Sequence, residues 1–503
     1  MWDVFTRILH AAADMYVPCY PQISNGKRFT CLGHRTREIS RCLAKKRRLW
    51  RKLKLNPCNT GTRARYRDCT HKLHHLVQQR EISFEERIVD ANNLGAFFRF
   101  VNKRTTNKPG ITSVTHPCGV TLLDDQEIAD AFNAYFSSVG VCSNSHSPHF
   151  PSFASPIIES IDFNEQDVIT AINKLKSNLS AGPDGFPPLL FKQIKYAIAT
   201  PLTLLFKQLL SVASIPKVWK STVVIPVHKK GPTNVLSNYR PISITCVPCK
   251  LLERIVVNRI YSHLVDNGLL CKEQHGFVRG RSTLTNLLES LNDWTHNTDD
   301  KCSTVVIYID FSKAFDVVQH DKLFIKLRAY GICGTLLEWI INLFSNRSFN
   351  TKISDLLSAV ANLICAVIQG SVIGPLMFLI YINDLIVLLN KFRIKVKLFA
   401  DDVKLYVKVV NDVALGDLRN ALAALVQWAE EWQLSLSIKK CCVLCIGKDV
   451  ANQFCISDVP LPIVTFTRDL GITVSQNLSF SQHITGIVAK AHQRANVALF
   501  LAM

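Results

Sequence analysis

A run of consecutive apolar, mostly β-branched residues near the middle of the chain constrains the fold most. Residues 304–309 read Thr-Val-Val-Ile-Tyr-Ile and lack the polar alternation of a strand with one solvated face. Such a run predicts a strand that is covered on both faces. The next residue is Asp310. The sequence therefore predicts a carboxylate at the edge of a buried sheet.

A second pattern, at 395–409, predicts a β-hairpin. Apolar residues alternate with other side chains on both sides of Asp401 and Asp402, so the two carboxylates are expected at the hairpin tip. Adjacent carboxylates on a tight turn repel each other, and a third on a neighbouring strand adds to the cost unless a hard cation binds. Oxygen ligands suit Mg²⁺, with Mn²⁺ as the alternative. Two such ions suit in-line phosphoryl transfer, in which one activates the attacking hydroxyl and the other stabilises the leaving pyrophosphate.

The charge of the chain indicates a polyanionic partner. The formal net charge is +20, and the segment 27–104 holds 21 Lys and Arg against 6 Asp and Glu. Residues 35–54 predict a basic helix, and residues 62–90 predict a second helix. Charge of one sign this dense repels itself, so we favour RNA or DNA phosphate as its partner over a purely solvated face. The basic side chains expected to bind nucleic acid are Arg41, Lys45, Lys46, Arg47, Arg48, Arg51 and Lys52.

From about residue 160 onward, short apolar strands alternate with helices, which is typical of an α/β or α+β body. Within that body a series of short motifs resembles the reverse transcriptases of non-LTR (LINE-type) retrotransposons, of the jockey or CR1 kind. The resemblance covers about 160–485. Its motifs occur in the family's order, namely Gly-Pro-Asp-Gly at 182–185, Ile-Pro-Val-His-Lys-Lys-Gly at 225–231, Asn-Tyr-Arg-Pro-Ile at 238–242, Gln-His-Gly-Phe-Val-Arg-Gly-Arg-Ser at 274–282, Asp-Phe-Ser-Lys-Ala-Phe-Asp at 310–316, Gln-Gly-Ser-Val-Ile-Gly-Pro at 369–375, Tyr-Ile-Asn-Asp-Leu at 381–385, Phe-Ala-Asp-Asp at 399–402, Trp-Gln-Leu at 432–434 with Lys440, and Leu-Gly-Ile at 470–472.

The resemblance implies an α+β, right-hand polymerase fold with fingers, palm and a partial thumb, preceded by a basic helical linker. The implied divisions are a mostly helical basic extension at 1–110, a linker with a short helix at 125–138 within 111–159, mainly fingers with part of the palm at 160–295, the palm at 296–478, and the start of a thumb, cut short at Met503, at 479–503.

The resemblance also implies roles for particular residues. Asp310 and Asp401 would be metal ligands, with Asp402 supporting them, and Lys440 would lie near the leaving pyrophosphate as a proton donor. The substrate is expected to be a dNTP, added to a DNA primer or target DNA on an RNA template. A helix after Asp310 would place two aromatic side chains on one face beside the nucleotide, the second of them excluding a ribose 2′-hydroxyl. The residues expected to contact substrate are Lys229, Lys230, Arg240, Phe311, Phe315, Gln369 and Gly370.

Some residues depart from the family pattern, and two other functions compete. Family members usually have Gly-Val-Pro-Gln-Gly where this chain has Ala-Val-Ile-Gln-Gly at 366–370, and Asn where Ser437 stands. A viral RNA-dependent RNA polymerase shares palm carboxylates, but more usually has Gly-Asp-Asp where this chain has Ala-Asp-Asp. An inactive relic that only binds RNA is the second alternative. Retention of all three aspartates favours an enzyme ancestry.

Targeting signals are not evident in the sequence. There is no stretch of about 18 or more consecutive apolar residues. The first twenty residues contain Asp3, Arg7 and Asp14 and lack the apolar core of a signal peptide. We therefore expect a protein of the nucleus or cytoplasm that is neither secreted nor bound to a membrane.

Overall fold

A computed structural model describes residues 1–17, 36–56, 59–90, 110–116, 118–140, 144, 148, 150, 156–178, 180–448 and 453–502. The chain divides into two compact units. The larger comprises Met1–Arg7 and Pro109–Ile487, and the smaller comprises Ile8–Lys108 and Val488–Met503. Among the described residues, none of the helices combines the length and apolar character needed to span a membrane.

Helices and strands alternate through most of the described chain, in agreement with the predicted α+β class. The α-helices are α1 Trp2–Tyr16, α2 Arg37–Leu55, α3 Thr60–Asp90, α4 Asp125–Ser138, α5 Glu165–Asn173, α6 Pro188–Gln193, α7 Lys195–Ser211, α8 Val247–Asp266, α9 Thr283–Asp299, α10 His320–Ala329, α11 Gly334–Phe344, α12 Gly374–Leu389, α13 Asp412–Glu431 and α14 Ser481–Ala502. The strands are β1 Val114–Thr115, β2 Thr121–Leu122, β3 Ser221–His228, β4 Tyr239–Ile244, β5 Ser303–Ile309, β6 Arg347–Ile353, β7 Leu356–Leu357, β8 Ala361–Leu363, β9 Lys395–Phe399, β10 Asp402–Val409, β11 Cys442–Ile446, β12 Cys455–Ile456, β13 Val459–Pro460, β14 Ile463–Val464, β15 Phe466–Asp469 and β16 Ile472–Ser475.

One five-stranded sheet, in the order β14-β11-β5-β10-β9, contains both patterns with which the sequence analysis began. Its central strand β5 is almost wholly buried, with β10 antiparallel on one side and β11 antiparallel on the other. Strands β9 and β10 form an antiparallel hairpin in which Phe399 pairs with Asp402. The predictions of a covered strand and of a hairpin with two carboxylates at its tip are therefore confirmed.

A second sheet follows the order β4-β3-β6-β7, with β8 also paired to β6. Helix α4 has the bounds that the sequence predicted, and Asp124 caps it by accepting from the Gln126 and Glu127 amides. The helix packs Ile128, Phe132 and other apolar side chains into one core with residues of β3, β4 and β6. The segment at 111–159, which the sequence assigned to a linker, thus contributes a helix to the core of the larger unit.

In the smaller unit, α2 and α3 pack against each other. Thr36 caps α2, since its hydroxyl accepts from the Ile39 amide at 3.3 Å. The buried Cys42 and Cys69 thiols, one on each helix, lie 3.7 Å apart. The predicted basic helix and the second predicted helix are both present, as α2 and α3. Lys46 takes part in this contact, because its ammonium lies over the Tyr66 ring of α3 at 5.7 Å, whereas the other predicted basic residues of α2 are exposed.

Candidate active site

The sheet register brings the three predicted aspartates to one edge. Strands β5 and β10 are antiparallel, and Val403 pairs with Ile309. The residue that follows β5, Asp310, therefore lies beside the residue that begins β10, Asp402. Asp401 occupies the second position of the two-residue turn between β9 and β10. The carboxylates thus come from strands that are distant in sequence but adjacent in the sheet.

Each carboxylate at the hairpin tip holds its proton more tightly than a free aspartate would. Burial raises the pKa of Asp401, the charge of Asp310 raises it further, and the cations Arg240 and Lys440 oppose the shift. Withdrawal from water and repulsion by Asp401 and Asp310 raise the pKa of Asp402 to about 6. The edge of the sheet therefore concentrates negative charge that favours a cation.

Lys440 supplies one such positive charge. Its ammonium lies 2.8 Å from Oδ1 of Asp310. The lysine ends a short 3₁₀ helix, Ile438–Lys440, and the preceding Ser437 amide donates to the Asp310 carbonyl at 2.8 Å. This backbone bond holds the lysine-bearing turn at the end of β5. Lys440, which the sequence could only associate with this site through the resemblance, lies at the carboxylates.

The donor set has the chemistry of a site for hard divalent cations, because all three candidate ligands are carboxylates. Among the described residues, however, no group of three or more His, Cys, Asp or Glu side chains has a metal-binding arrangement. The Lys440 ammonium donates a hydrogen bond to Oδ1 of Asp310, where it supplies a positive charge. The three carboxylates have the ligand chemistry that a divalent ion needs, but their side chains would have to rotate to bind it.

Further cations lie near a fourth carboxylate, Asp316. Partial burial lowers the pKa of Lys229, repulsion by Arg240, Lys440 and Lys313 lowers it further, and Asp316 opposes the shift. Burial raises the pKa of Asp316, and Gln369 Nε2 donates to its Oδ1 at 2.6 Å. Sequence reasoning proposed Lys229, Arg240 and Gln369 but gave no role to Lys313 or Asp316.

The Gln369–Gly370 loop packs closely on β4. The Ser243 amide donates to the Gln369 carbonyl at 2.7 Å. Gly370 has a φ of +115°, and a Cβ on it would overlap the Ser243 carbonyl oxygen. Ala366, where relatives usually have glycine, also has a positive φ of 94°. The close approach at Gly370 is thus to the chain's own strand β4, and its contact with substrate stays a prediction.

The chain after Asp310 differs from the prediction. Instead of a helix that would carry Phe311 and Phe315 on one face, it forms a turn with Lys313 left-handed (φ 52°) and a 3₁₀ helix, Ala314–Asp316. Phe311 is only 3% exposed, and its ring lies 6.4 Å from that of Trp428. The prediction of one shared face is wrong, because the left-handed residue breaks the helical path. Phe311 lies in the core.

Phe315 lies between core and surface. Its ring stacks on that of the buried Phe378, with centroids 4.1 Å apart, and meets the half-exposed Phe277 edge to face at 5.9 Å. One face of Phe315 is therefore engaged in packing, and the ring is held in a fixed orientation. This rigidity suits a steric role, since a mobile ring would exclude little.

The remaining predicted residues are mostly exposed. Lys230 is exposed just beyond the end of β3. The seven basic residues from Arg41 to Lys52 belong to the smaller compact unit, where all but the half-buried Lys46 are exposed.

The structure also contains a buried ion pair that sequence reasoning did not find. Lys404 on β10 lies 2.7 Å from Asp469 on β15, with both side chains about 5% exposed or less. The Tyr308 hydroxyl donates to the same carboxylate at 3.3 Å. These bonds connect the β15–β16 hairpin to the sheet that carries the aspartates. The only sequence signal was a lysine among the apolar residues of β10.

Comparison with known proteins agrees with this arrangement. The family described as reverse transcriptase (RNA-dependent DNA polymerase) matches residues 227–480, about half of the chain and all three aspartates. The chain therefore belongs to the reverse transcriptase family. Its similarity to mobile-element proteins assigns it to the non-LTR, jockey-like branch that the motif order predicted.

Three relatives illustrate this similarity. The probable RNA-directed DNA polymerase from transposon BS of Drosophila melanogaster is 27% identical over 65% of this chain and 37% of its own length. The RNA-directed DNA polymerase from mobile element jockey is 28% identical in the same species, over 57% of this chain and 32% of its own. Its counterpart in Drosophila funebris is 24% identical over 96% of this chain and 55% of its own. The chain thus spans about a third to a half of the length of these relatives.

Proposed function

We propose that this chain is an RNA-directed DNA polymerase, which adds nucleotides from dNTP to a primer 3′-hydroxyl on an RNA template. The observation that carries the proposal is the convergence of Asp310, Asp401 and Asp402 at one edge of the sheet. The cations Arg240 and Lys440 are close enough to oppose the raised pKa of Asp401, and Lys229 interacts with both of them and with Asp316. Carboxylates beside cations match what nucleotidyl transfer needs, namely sites for metal ions and for phosphate.

The residues of the site divide into groups that would hold metal and groups that would hold substrate. Asp310 and Asp401, supported by Asp402, would bind two Mg²⁺ ions. When bound, these ions activate the attacking hydroxyl and stabilise the leaving pyrophosphate. Arg240 presents a planar guanidinium suited to bidentate phosphate binding. Lys440 would give a proton to the pyrophosphate, and the bond from its ammonium to Asp310 supports that role.

The larger unit would comprise the polymerase body, except for the part of α14 from Val488 onward, which belongs to the smaller unit. In this proposal the sheet of β5, β9, β10 and β11 is the palm, the sheet of β3, β4 and β6 belongs to the fingers, and α14 begins the thumb. Helix α4 shares the core of the second sheet, so we assign it to the fingers as well. The basic α2–α3 pair would bind RNA or DNA phosphate, since the exposed side chains of α2 are mostly cationic.

Primer extension on an RNA template with dNTP and Mg²⁺ tests the proposal directly. Asp401→Asn should lower the rate on the order of 10²–10³-fold, the size expected when a group that acts on the transition state is removed. RNA affinity should change less than about twofold, because the metal ions serve chemistry rather than template binding. Asp458→Asn is the matched control. It makes the same chemical change at an exposed turn whose left-handed backbone (φ 64°) suits asparagine.

Two outcomes would contradict the proposal. Equal loss of RNA binding and of polymerisation in Asp401→Asn would mean that the carboxylate supports the fold rather than the chemistry. A wild-type chain that binds RNA but extends no primer would favour the alternative of an inactive relic that only binds RNA.

A further inference from the structure

The turn that carries Asp401 contains a backbone conformation that its own residue does not favour. Ala400 occupies the first position of the two-residue turn and has a φ of 58°. Only glycine, and to a lesser extent Asn and Asp, adopts this left-handed region readily. Ala400 is also buried, at 5% exposure. Something outside the hairpin must therefore stabilise the turn.

Gln274 makes the contacts that do so. Its side chain is 3% exposed, and its Oε1 accepts from the Ala400 amide at 2.9 Å. Its Nε2 donates to the Ala400 carbonyl at 3.3 Å. One side-chain amide therefore bonds both backbone polar groups of the left-handed residue.

The chain around Gln274 holds that amide in place. The Leu398 amide donates to the Glu273 carbonyl at 3.0 Å, and the His275 amide donates to the Leu398 carbonyl at 2.9 Å, so the segment runs beside β9. The Gly276 amide donates to the Gln274 Oε1 at 2.8 Å. A Cβ on Gly276 would overlap the Ala400 backbone nitrogen. The glycine thus permits the close approach, and its amide orients the glutamine.

We infer that Gln274 is a positioning residue for Asp401, which it orients by fixing the peptide group between Ala400 and Asp401. The Ala400 carbonyl lies in the same rigid plane as the Asp401 amide. The bond from Gln274 Nε2 therefore sets the direction in which the Asp401 side chain leaves the turn. The inference rests on the proposed function, because the orientation of Asp401 matters only if that carboxylate serves the reaction.

The test compares Gln274→Ala with wild type in primer extension and in amide hydrogen exchange of the peptide at 396–404. Loss of a partner that orients a metal ligand typically costs about 10–100-fold in activity. We expect kcat to fall by that factor while KM for dNTP and RNA affinity stay within about twofold. The Ala400 amide should exchange faster without metal, because it loses its acceptor.

Two further variants separate positioning from general stability. Asn286→Ala removes another buried amide that bonds β9, through the Leu398 carbonyl at 2.9 Å, without touching the turn. It should lower the melting temperature and change kcat less than about threefold. Gln274→Glu keeps the acceptor for the Ala400 amide but loses the donor to its carbonyl. It should retain exchange protection at Ala400 and still lose kcat.

The outcomes distinguish this inference from the proposed function. An active wild type whose kcat is unchanged in Gln274→Ala would overturn the inference alone, as would equal losses of kcat in Gln274→Ala and Asn286→Ala. A wild type that makes no DNA would instead overturn the proposed function. In that case the exchange measurement still decides whether Gln274 holds the turn.

Discussion

Gly370→Ala should disable the loop that carries Gln369. The added Cβ would overlap the Ser243 carbonyl oxygen, which belongs to a strand and cannot turn aside. Alanine at a φ of +115° adds about 1–3 kcal/mol of backbone strain. Overpacking against fixed atoms adds about 1–3 kcal/mol. The sum, about 2–6 kcal/mol, exceeds what the single bond between the Ser243 amide and the Gln369 carbonyl can offset, at about 1 kcal/mol.

The loop is therefore expected to leave β4, and kcat/KM for dNTP should fall at least about 30-fold, the factor equivalent to 2 kcal/mol. Urea unfolding followed by tryptophan fluorescence gives the accompanying change in the free energy of unfolding. Two glycines serve as controls. Gly268→Ala meets open space at a φ of +61° and should cost about 1–2 kcal/mol without loss of activity. Gly416→Ala, in open space within α13, should stabilise by about 0.5–1 kcal/mol.

Comparing kcat/KM and the free energy of unfolding among the three variants tests whether the clash with Ser243 explains the glycine. If Gly370→Ala matches wild type in kcat/KM and in unfolding free energy, then the contact with Ser243 is not tight in solution, and the close approach does not explain the glycine. If Gly370→Ala loses no more unfolding free energy and no more activity than Gly268→Ala, the backbone conformation accounts for the effect and the clash does not.

Two other predictions concern substrate and template. Phe315→Val should raise the ratio of rNTP to dNTP incorporation efficiency, because it removes the ring held by Phe378. The control, Phe311→Val, should lower stability and leave that ratio unchanged. If Phe315→Val also leaves the ratio unchanged, Phe315 serves only in packing. Replacing the four basic residues at 45–48 with Gln should flatten the dependence of log K on log salt for RNA binding by up to about 3 units, since each neutralised phosphate contributes about 0.7 on single strands. An unchanged dependence of log K on log salt would mean that residues 45–48 are a solvated face that does not bind RNA.

Local patterns predicted the parts of the site that local forces determine. Burial on both faces leaves a continuous apolar run, so β5 was visible in the sequence. The alternation around Asp401 and Asp402 likewise predicted a hairpin and its tip. The helix at 125–138 was predicted to the residue, because a capping aspartate at 124 precedes it and apolar residues recur along one face.

The chain after Asp310 was predicted wrongly because tertiary contacts override local preference there. The Ser312 amide bonds to the Ser435 carbonyl at 2.7 Å, and the Phe315 carbonyl accepts from the Val367 amide at 2.9 Å. These bonds to distant segments use backbone groups that a helix would have paired internally. A left-handed Lys313 allows the detour. Nothing in the sequence at 310–316 reveals such partners.

The role inferred for Gln274 could not be predicted from the sequence, for a related reason. A buried glutamine has no periodicity of its own, and its partner Ala400 lies more than a hundred residues away. The Lys404–Asp469 pair has the same property. Some side chains act by bonding distant backbone groups or by pairing across strands. Their partners can be identified only when the fold is known.

The central position of β5 has a consequence for how the chain is made. Both of its neighbours, β10 and β11, are synthesised long after it, so the apolar segment emerges from the ribosome before either partner exists. Such non-local pairing is slow to form, because a long loop must close first. Until residue 446 has been added, a strand of high β-propensity and no charge has open edges, which is the composition of segments that aggregate. The strand that leads to Asp310 is thus a segment of the nascent chain that needs protection from aggregation until its partners have been made.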